Sequence, residues 1–375
     1  MELDASLYWL ALSLTPGIAA RLSGKLLHQF GSPEGVFRAS LTELEACHLP
    51  APAAQAIAKQ TALRLAEKEL AALRRNGSSL LTWEEPQYPK RLLEIYDPPP
   101  LLYFRGDLAL LSRHCISMVG TRRPTLYGNQ IAERLARDLA ARGVVIVSGM
   151  ARGIDSSSHK GALAAPSGKT IGVLGTGIDV VYPKENRKLF AQVEKEGAFI
   201  TEFPLGSHPA PENFPIRNRI VAGISLGVVI VEGAQYSGSL ITARLAMESG
   251  REVFAVPGNV TQPVSFAPNQ LIKQGAKLVT SWEDVVEELP TEIRAELFPV
   301  ESPGAEERAG LFQSSLVGAE STLYAMLNTD EPRHVDELVE RSGLNSSEVL
   351  ATLFMLEMKG IIRQMPGKQF VRVLV

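Results

Sequence analysis

Cysteine is nearly absent from this chain, and much of what the sequence excludes follows from what it has little of. Cys47 and Cys115 are the only two in 375 residues, far apart and outside any Cys-x-x-Cys pair. Neither a disulfide framework nor a metal site built on cysteine is therefore expected, and the chain reads as belonging to a reducing compartment. Excess positive charge is missing as well. The 38 Lys and Arg stand against 41 Asp and Glu, a formal net charge of -3, which excludes a globally basic nucleic-acid binder and leaves room for a local basic cleft. No uninterrupted apolar run is long enough to cross a bilayer, and the N-terminus opens on Glu2 and Asp4 without a basic region. Secretion and membrane insertion are disfavoured, and a cytoplasmic location is expected. The common nucleotide fingerprints are missing too. Gly120-Thr-Arg-Arg-Pro-Thr-Leu-Tyr-Gly128 is no GxxxxGK[ST] motif, and the lone GxG at Gly175-Thr-Gly177 puts Val180 where a dinucleotide fold needs its third glycine. No cofactor is called for.

What is present is a core with appendages. From Tyr8 to Leu73 apolar residues recur at helical spacing, which predicts a small helical domain over residues 1–75, of helix-hairpin-helix or SAM-like kind. Its turn at Pro16-Gly17-Ile18 carries Ala19 where a phosphate-approaching hairpin carries a second glycine, so the hairpin is read as structural. Residues 76–112, with Pro98-Pro99-Pro100 imposing an extended path, read as a bridging segment that packs on the next domain. From 113 to 289 short β-rich runs alternate with helical ones: Ile116–Val119, Val144–Val147, Ile171–Leu174, Phe199–Thr201, Leu226–Val231 and Glu252–Val256. That alternation is the pattern of an α/β fold with a doubly wound, mostly parallel sheet. Ligands of such sheets bind beyond the carboxyl ends of the strands.

Residues 290–317, rich in Pro, Glu and Ser, read as a linker. Three helices follow, over 320–327, 334–342 and 346–359, then a hairpin from Ile361 to Val373 turned at Pro366-Gly367. This is the order of a winged helix, expected over 318–375. Its third helix carries Glu348, Glu357 and a single terminal cation, Lys359. The reading is of a structural or protein-contact module, since a DNA-reading helix needs residues that attract phosphates and meet base edges.

The candidate chemistry lies in the loops of the central sheet. Gly120, Thr121, Arg122 and Arg123 follow the first strand and precede a helix, an arrangement suited to an anion. Gly149 and Arg152 repeat it after the second strand, in Ser148-Gly-Met-Ala-Arg-Gly-Ile-Asp155. Lys184 and Arg187 follow the third. In Asn213-Phe-Pro-Ile-Arg-Asn-Arg219, cations at Arg217 and Arg219 sit beside Asn213, Phe214 and Asn218, combining a grip on phosphates with a ring on which a base can stack. Ser237, Gly238, Ser239 and Thr242 open a helix after the strand ending near Glu232, another phosphate-cradling pattern. Several such sites along one sheet edge suit a polyanion better than a single nucleotide.

In this order, GTRRPTLYG, SGMARGID, GVLGTGIDVVYPKEN, NFPIRNRI, YSGSLITARLAMESGREVFAVPGN and NQLIKQGA resemble the Rossmann-like core of the DNA-processing protein A family, also called DprA or Smf. The resemblance extends to both flanking domains. It implies a single-stranded DNA binder that forms a homodimer, protects incoming DNA and loads a RecA-type recombinase during natural transformation. By position it places phosphate contact on Arg122, Lys184, Arg217 and Arg219 and base stacking on Phe214. The family's dimerising habit favours an interface reading of Leu271 and Ile272, which by themselves fit core or interface equally. The competing class is a nucleotide-processing enzyme of the related lysine-decarboxylase-like phosphoribohydrolase fold. Here Gly233-Ala-Gln-Tyr-Ser-Gly-Ser-Leu-Ile-Thr242 lacks that group's glutamate, and none of Asp155, Asp179, Glu202 and Glu232 has a convincing catalytic partner. No catalytic residue and no metal ligand is therefore assigned.

Overall fold

The computed structural model describes residues 2–18, 20–297, 318–328, 331–359 and 361–372. Six helices open the chain: α1 (Glu2–Leu14), α2 (Ala20–Phe30), α3 (Pro33–Arg38), α4 (Leu41–Ala46), α5 (Ala51–Ala58) and α6 (Thr61–Arg75). Ser32 caps α3, and Ser40 with Glu43 closes a capping box on α4, so each short helix starts with its first N–H groups satisfied. Gly17 makes the turn after α1 at φ +83, a conformation an L side chain rarely adopts. Ala19, whose identity bears on the hairpin, lies outside the described residues.

Nine strands among the described residues form one sheet: β1 (Ser79–Thr82), β2 (Leu101–Gly106), β3 (Cys115–Val119), β4 (Val145–Ser148), β5 (Thr170–Val173), β6 (Ala198–Thr201), β7 (Gly227–Ile230), β8 (Glu252–Ala255) and β9 (Lys277–Leu278). Their order is β1-β2-β6-β5-β4-β3-β7-β8-β9. From β6 to β9 all neighbours run parallel, while β1 and β2 add an antiparallel margin. The segment expected only to bridge thus belongs to the sheet. The reason is its alternation: Leu102 and Phe104 join the core of the sheet, and Leu101 and Tyr103 join that of the helical domain. One strand therefore ties the two cores together.

Helices cover both faces: α7 (Lys90–Leu93), α8 (Leu126–Ala140), α9 (Ile154–Ala164), α10 (Arg187–Glu196), α11 (Asn213–Ile224), α12 (Gly238–Glu248), α13 (Phe266–Lys273), α14 (Trp282–Glu287) and α15 (Thr291–Leu297). Val145, Val147, Val228 and Ile230 pack with Ile220 of α11 and Ala243 of α12. Their strand neighbours Ile146 and Val229 pack on the opposite face with Ile131 and Leu135 of α8. Full burial on both faces explains why these strands read as continuous apolar runs. Helix α15 occupies the first part of the expected linker, anchored by buried Ile293, and residues 298–317 lie outside the described residues.

The tail comprises α16 (Ala319–Met326), β10 (Arg333–His334), α17 (Val335–Ser342), α18 (Ser346–Met358), β11 (Ile362–Met365) and β12 (Gln369–Arg372). Its three strands are ordered β10-β12-β11, and the hairpin turns at Gly367, φ +84. This is a winged helix, built on Leu323, Leu338, Val349 and Leu353. Among the described residues no helix is long and apolar enough to cross a membrane.

Candidate functional site

The strand order reverses once. The chain winds from β3 outward to β6, then returns to lay β7 on the other side of β3. Loops leaving β3 and β7 diverge at that point, and a crevice opens between them. It is a cleft of about 890 Å³ whose walls carry Arg122 and Arg123 from the loop after β3, Phe214 and Arg217 from α11, and Tyr236 to Ser239 ahead of α12. Two backbone bonds fix the mouth: Thr121 N–H donates to the Glu232 carbonyl at 2.7 Å, and Gly233 N–H donates to the Val264 carbonyl at 2.6 Å.

Two of the predicted anion sites already hold anions, and these are the protein's own. At the start of α8 the buried Glu232 carboxylate accepts from Thr125 N–H at 2.9 Å and from the Thr125 hydroxyl, which in turn accepts from Gly128 N–H. Gly128 is glycine because a Cβ there would overlap that carboxylate. At the start of α9, Asp155 accepts from Gly149 N–H at 3.1 Å and Ala151 N–H at 3.3 Å. Burial raises the affinity of both carboxyls for protons, opposed at Asp155 by Arg217 and the two backbone donors and at Glu232 by the Thr125 bonds. Gly120 and Gly149 line the cleft, yet packing is what demands glycine at both. A Cβ at Gly120 would stand 2.6 Å from Ile154, and one at Gly149 would collide with the Arg217 guanidinium.

The two arginines of α11 are committed differently from the sequence expectation. Arg217, only 4% exposed, donates to the Val173 carbonyl and faces Asp155, and burial brings its pKa down to about 10. It forms the floor of the cleft. Arg219 does not line the cleft at all: its guanidinium is paired with Glu202 and with Asp97, and its Nε donates to the Asp97 carbonyl at 2.8 Å. Those partners lie 17 and 122 residues away in sequence, so nothing local signals them.

Arg122 and Arg123 are exposed and make no ion pair among the described residues. Arg122 lies over the Phe214 ring at 5.3 Å, and Tyr182 meets the same ring at 5.7 Å. Phe214 is half-buried above Gly175, where a Cβ would touch it at 3.0 Å. Thr121, Asn218, Ser237, Gly238, Ser239 and Thr242 also line the cleft. Arg152 flanks a side crevice beside Arg122 and is paired with Glu185 at 2.5 Å. Lys184 and Arg187 are exposed at the start of α10, outside the lining, and the Asn213 amide donates to the Gly175 carbonyl at 3.1 Å. Sequence reasoning missed Tyr182, Tyr236, Ile241 and Phe266, all of which line the cleft or its side crevice. The available signal was an aromatic next to a Gly/Ser loop, as in Gln235-Tyr236-Ser237.

The remaining acids are engaged structurally. The Asp179 carboxylate accepts from Gly206 N–H at 2.9 Å, and Glu202 holds Arg219. Among the described residues no group of three His, Cys, Asp or Glu side chains converges as metal ligands do. Leu271, 3% exposed, packs in the sheet core, with Ile272 half-buried against the same cluster. Leu271 is therefore core, because α13 turns it toward the sheet.

The profile described as DNA recombination-mediator protein A matches residues 79–290, more than half of the chain, and the DprA winged helix domain matches residues 313–368. The chain belongs to the DNA recombination-mediator protein A family. Protein Smf of Escherichia coli (strain K12) is 40% identical over 321 residues, which cover 81% of this chain and 83% of that one. The X-ray structure of DNA processing protein A from Streptococcus pneumoniae is 34% identical, covers 76% of this chain and 98% of its own, and superposes with a TM-score of 0.65. The Helicobacter pylori DNA processing protein A, described for its single-stranded DNA binding mode, is 32% identical over 56% of this chain and 94% of its own, with a TM-score of 0.51. The family match begins at β1, in agreement with that strand's place in the sheet.

Proposed function

We infer that this chain binds single-stranded DNA along the carboxyl edge of its sheet and acts as a recombination mediator, protecting incoming strands and passing them to a RecA-type recombinase during natural transformation. The observation that carries the reading is the pairing of unneutralised Arg122 and Arg123 with the half-buried Phe214 ring in one open cleft. Arginines take phosphates, and an aromatic face takes any base, so the combination grips a strand without selecting its sequence. Lys184 and Arg187 extend the cationic surface, while Arg217 and Arg219 hold the floor and the back of α11. The Ser237 hydroxyl and the first turn of α12 at Gly238 lie on the opposite lip.

The function needs no covalent chemistry, and the acids that an enzyme would use are tied to Thr125, Gly149, Gly206 and Arg219. A homodimer is part of the proposal, with Ile272 rather than Leu271 available at the surface of α13. Titrating single-stranded, duplex and RNA oligonucleotides at several salt concentrations tests the core of it. The expected outcome is preference for single strands with affinity falling steeply as salt rises. Equal affinity for duplex, or no dependence on salt, overturns it. Recombinase loading is tested separately, by whether the protein speeds formation of recombinase filaments on strands already covered by a single-strand binding protein.

A further inference from the structure

Tyr236 stands 93% exposed on the wall of the cleft opposite Phe214. Its neighbours on that wall, Ile241 and Phe266, are 43% and 42% exposed. Ala234, Gln235, Tyr236, Ile241, Pro263 and Phe266 carry no formal charge, whereas Arg122 and Arg123 stand on the other side of the reversal point. The cleft is thus two-sided, cationic toward β3 and uncharged beyond β7, where exposed rings stand among small polar side chains. Among the described residues no ring contact or hydrogen bond engages Tyr236. The turn beneath it is nevertheless fixed: Ser237 N–H donates to the Ala234 carbonyl at 3.0 Å, and Ala267 N–H donates to the Gly233 carbonyl at 2.8 Å. The ring is held out into the cleft on a rigid support.

Building on the single-strand reading above, we propose that Tyr236 is a second base-stacking station, so that the strand crosses the reversal point with its phosphates toward Arg122 and Arg123 and its bases toward two separate aromatic faces. The first station, Phe214 with Tyr182, sits at the end of β5, and Tyr236 sits at the end of β7. Three strand intervals separate these ends, about 14 Å at roughly 4.8 Å each. At about 3.4 Å per stacked nucleotide, some four nucleotides span the stations. A strand with anionic phosphates on one side and uncharged bases on the other matches this division of the cleft. Tyr236 then contributes to affinity without contributing to the dependence on salt, which separates it from the arginines.

The test is Tyr236→Ala in the full chain, with Tyr236→Phe as the restoring variant, binding a twelve-residue oligothymidylate and a fully abasic strand of the same length. Because the ring packs on nothing, the alanine variant is expected to melt like the parent. Its affinity for oligothymidylate should fall about five- to a hundredfold, with the slope of log affinity against log salt unchanged. Tyr236→Phe should recover most of that loss, and the abasic strand should bind parent and alanine variant alike. Quenching of an introduced Tyr236→Trp indole by oligothymidylate, absent with the abasic strand, gives an independent readout. An unchanged affinity, an equal loss on the abasic strand, or a change in sedimentation in place of a change in binding overturns the stacking role. If the parent itself fails to bind oligothymidylate, the single-strand reading falls along with it; if the parent binds and Tyr236→Ala binds equally, only the second station falls.

Discussion

Two pairs of arginines that look alike in the sequence have opposite fates in the fold. Arg122 and Arg123 occupy a loop after β3, exposed, with Phe214 as the nearest partner of Arg122. Arg217 and Arg219 occupy the first turns of α11, the first buried against a backbone carbonyl and Asp155, the second half-buried against Glu202 and Asp97. Each pair follows a strand and lies near a helix start, so motif reasoning treats both as phosphate grips. The acids decide the matter. A guanidinium whose charge is met inside the fold has little left for a ligand, and removing it leaves a buried carboxylate stranded. A guanidinium in solvent has the reverse profile: dispensable for folding and available for binding.

The widest separation between the pairs is expected from Arg219→Ala. Loss of the partner of the partly buried Glu202 should lower unfolding free energy by about 3 kcal/mol in a urea titration, while the salt slope of whatever strand binding remains is unchanged. A variant as stable as the parent but with a flatter slope would return Arg219 to the phosphate contacts. Next in size, the double change Arg122→Ala, Arg123→Ala should cost about tenfold in single-strand affinity per arginine and flatten the log–log salt slope by about 1.4, with the melting temperature preserved. An unaltered slope breaks the comparison from the other side.

A smaller effect probes the buried surroundings of Arg217. His159 is fully buried and its Nδ1 meets the Thr170 hydroxyl at 2.7 Å; burial, reinforced by Arg217, pulls its pKa from 6.5 down to about 3. The unfolded chain therefore takes up a proton below pH 6.5 that the folded chain refuses. Stability is fully present above that value and is lost as pH falls toward 3, by about 2 kcal/mol at pH 5. The raised Asp155 and Glu232 carboxyls act in the opposite direction, so the measurement is the difference between parent and His159→Gln. Unfolding free energies at pH 7 and pH 5 should show a steeper acid loss in the parent; parallel losses refute the assignment.

The smallest effect extends the comparison to the winged tail. There three of the cations are met internally as well, Arg333 by Glu337, Lys359 by Glu320, and Arg372 by the Tyr324 carbonyl and ring, and Arg363 and Lys368 stay exposed on the wing. The outer face of α18 instead exposes Leu350, Phe354 and Met358. A chain ending at Leu297, which keeps α15 on the core, should retain single-strand affinity within about threefold, below the tenfold that a single charged contact carries. Loss of binding on that truncation would move the DNA site to the tail.

The strands of the central sheet were legible from sequence almost residue by residue, because burial on both faces writes them as apolar runs between glycine loops. The winged helix was legible for a related reason, its amphipathic helices being followed by a Pro-Gly hairpin. Strands β1 and β2 were not, since their prolines and aromatics resemble a bridge, and only the alternation of Leu101 to Phe104 between two cores shows otherwise. The cleft was legible as a set of loops. Which of those loops were already filled was hidden, because Glu232 reaches Thr125 and Asp97 reaches Arg219 across more than a hundred residues. Tyr236 escaped for the opposite reason: an exposed ring leaves no periodic trace.

The return of the chain from β6 to β7 has a consequence in time. One lip of the cleft is made by about residue 123 and the other only by about residue 239, and at roughly 5 to 20 residues per second the ribosome takes about 6 to 23 s to supply the difference. For nearly all of that interval the nascent chain shows Arg122 and Arg123 without the opposite lip, and the loop after β3 lacks the Glu232 carbonyl that fixes it. The complete cleft therefore arrives late in synthesis. A ribosome stalled before β7 has emerged should display a chain whose helical domain resists protease while its sheet edge holds a strand more weakly than the finished protein does.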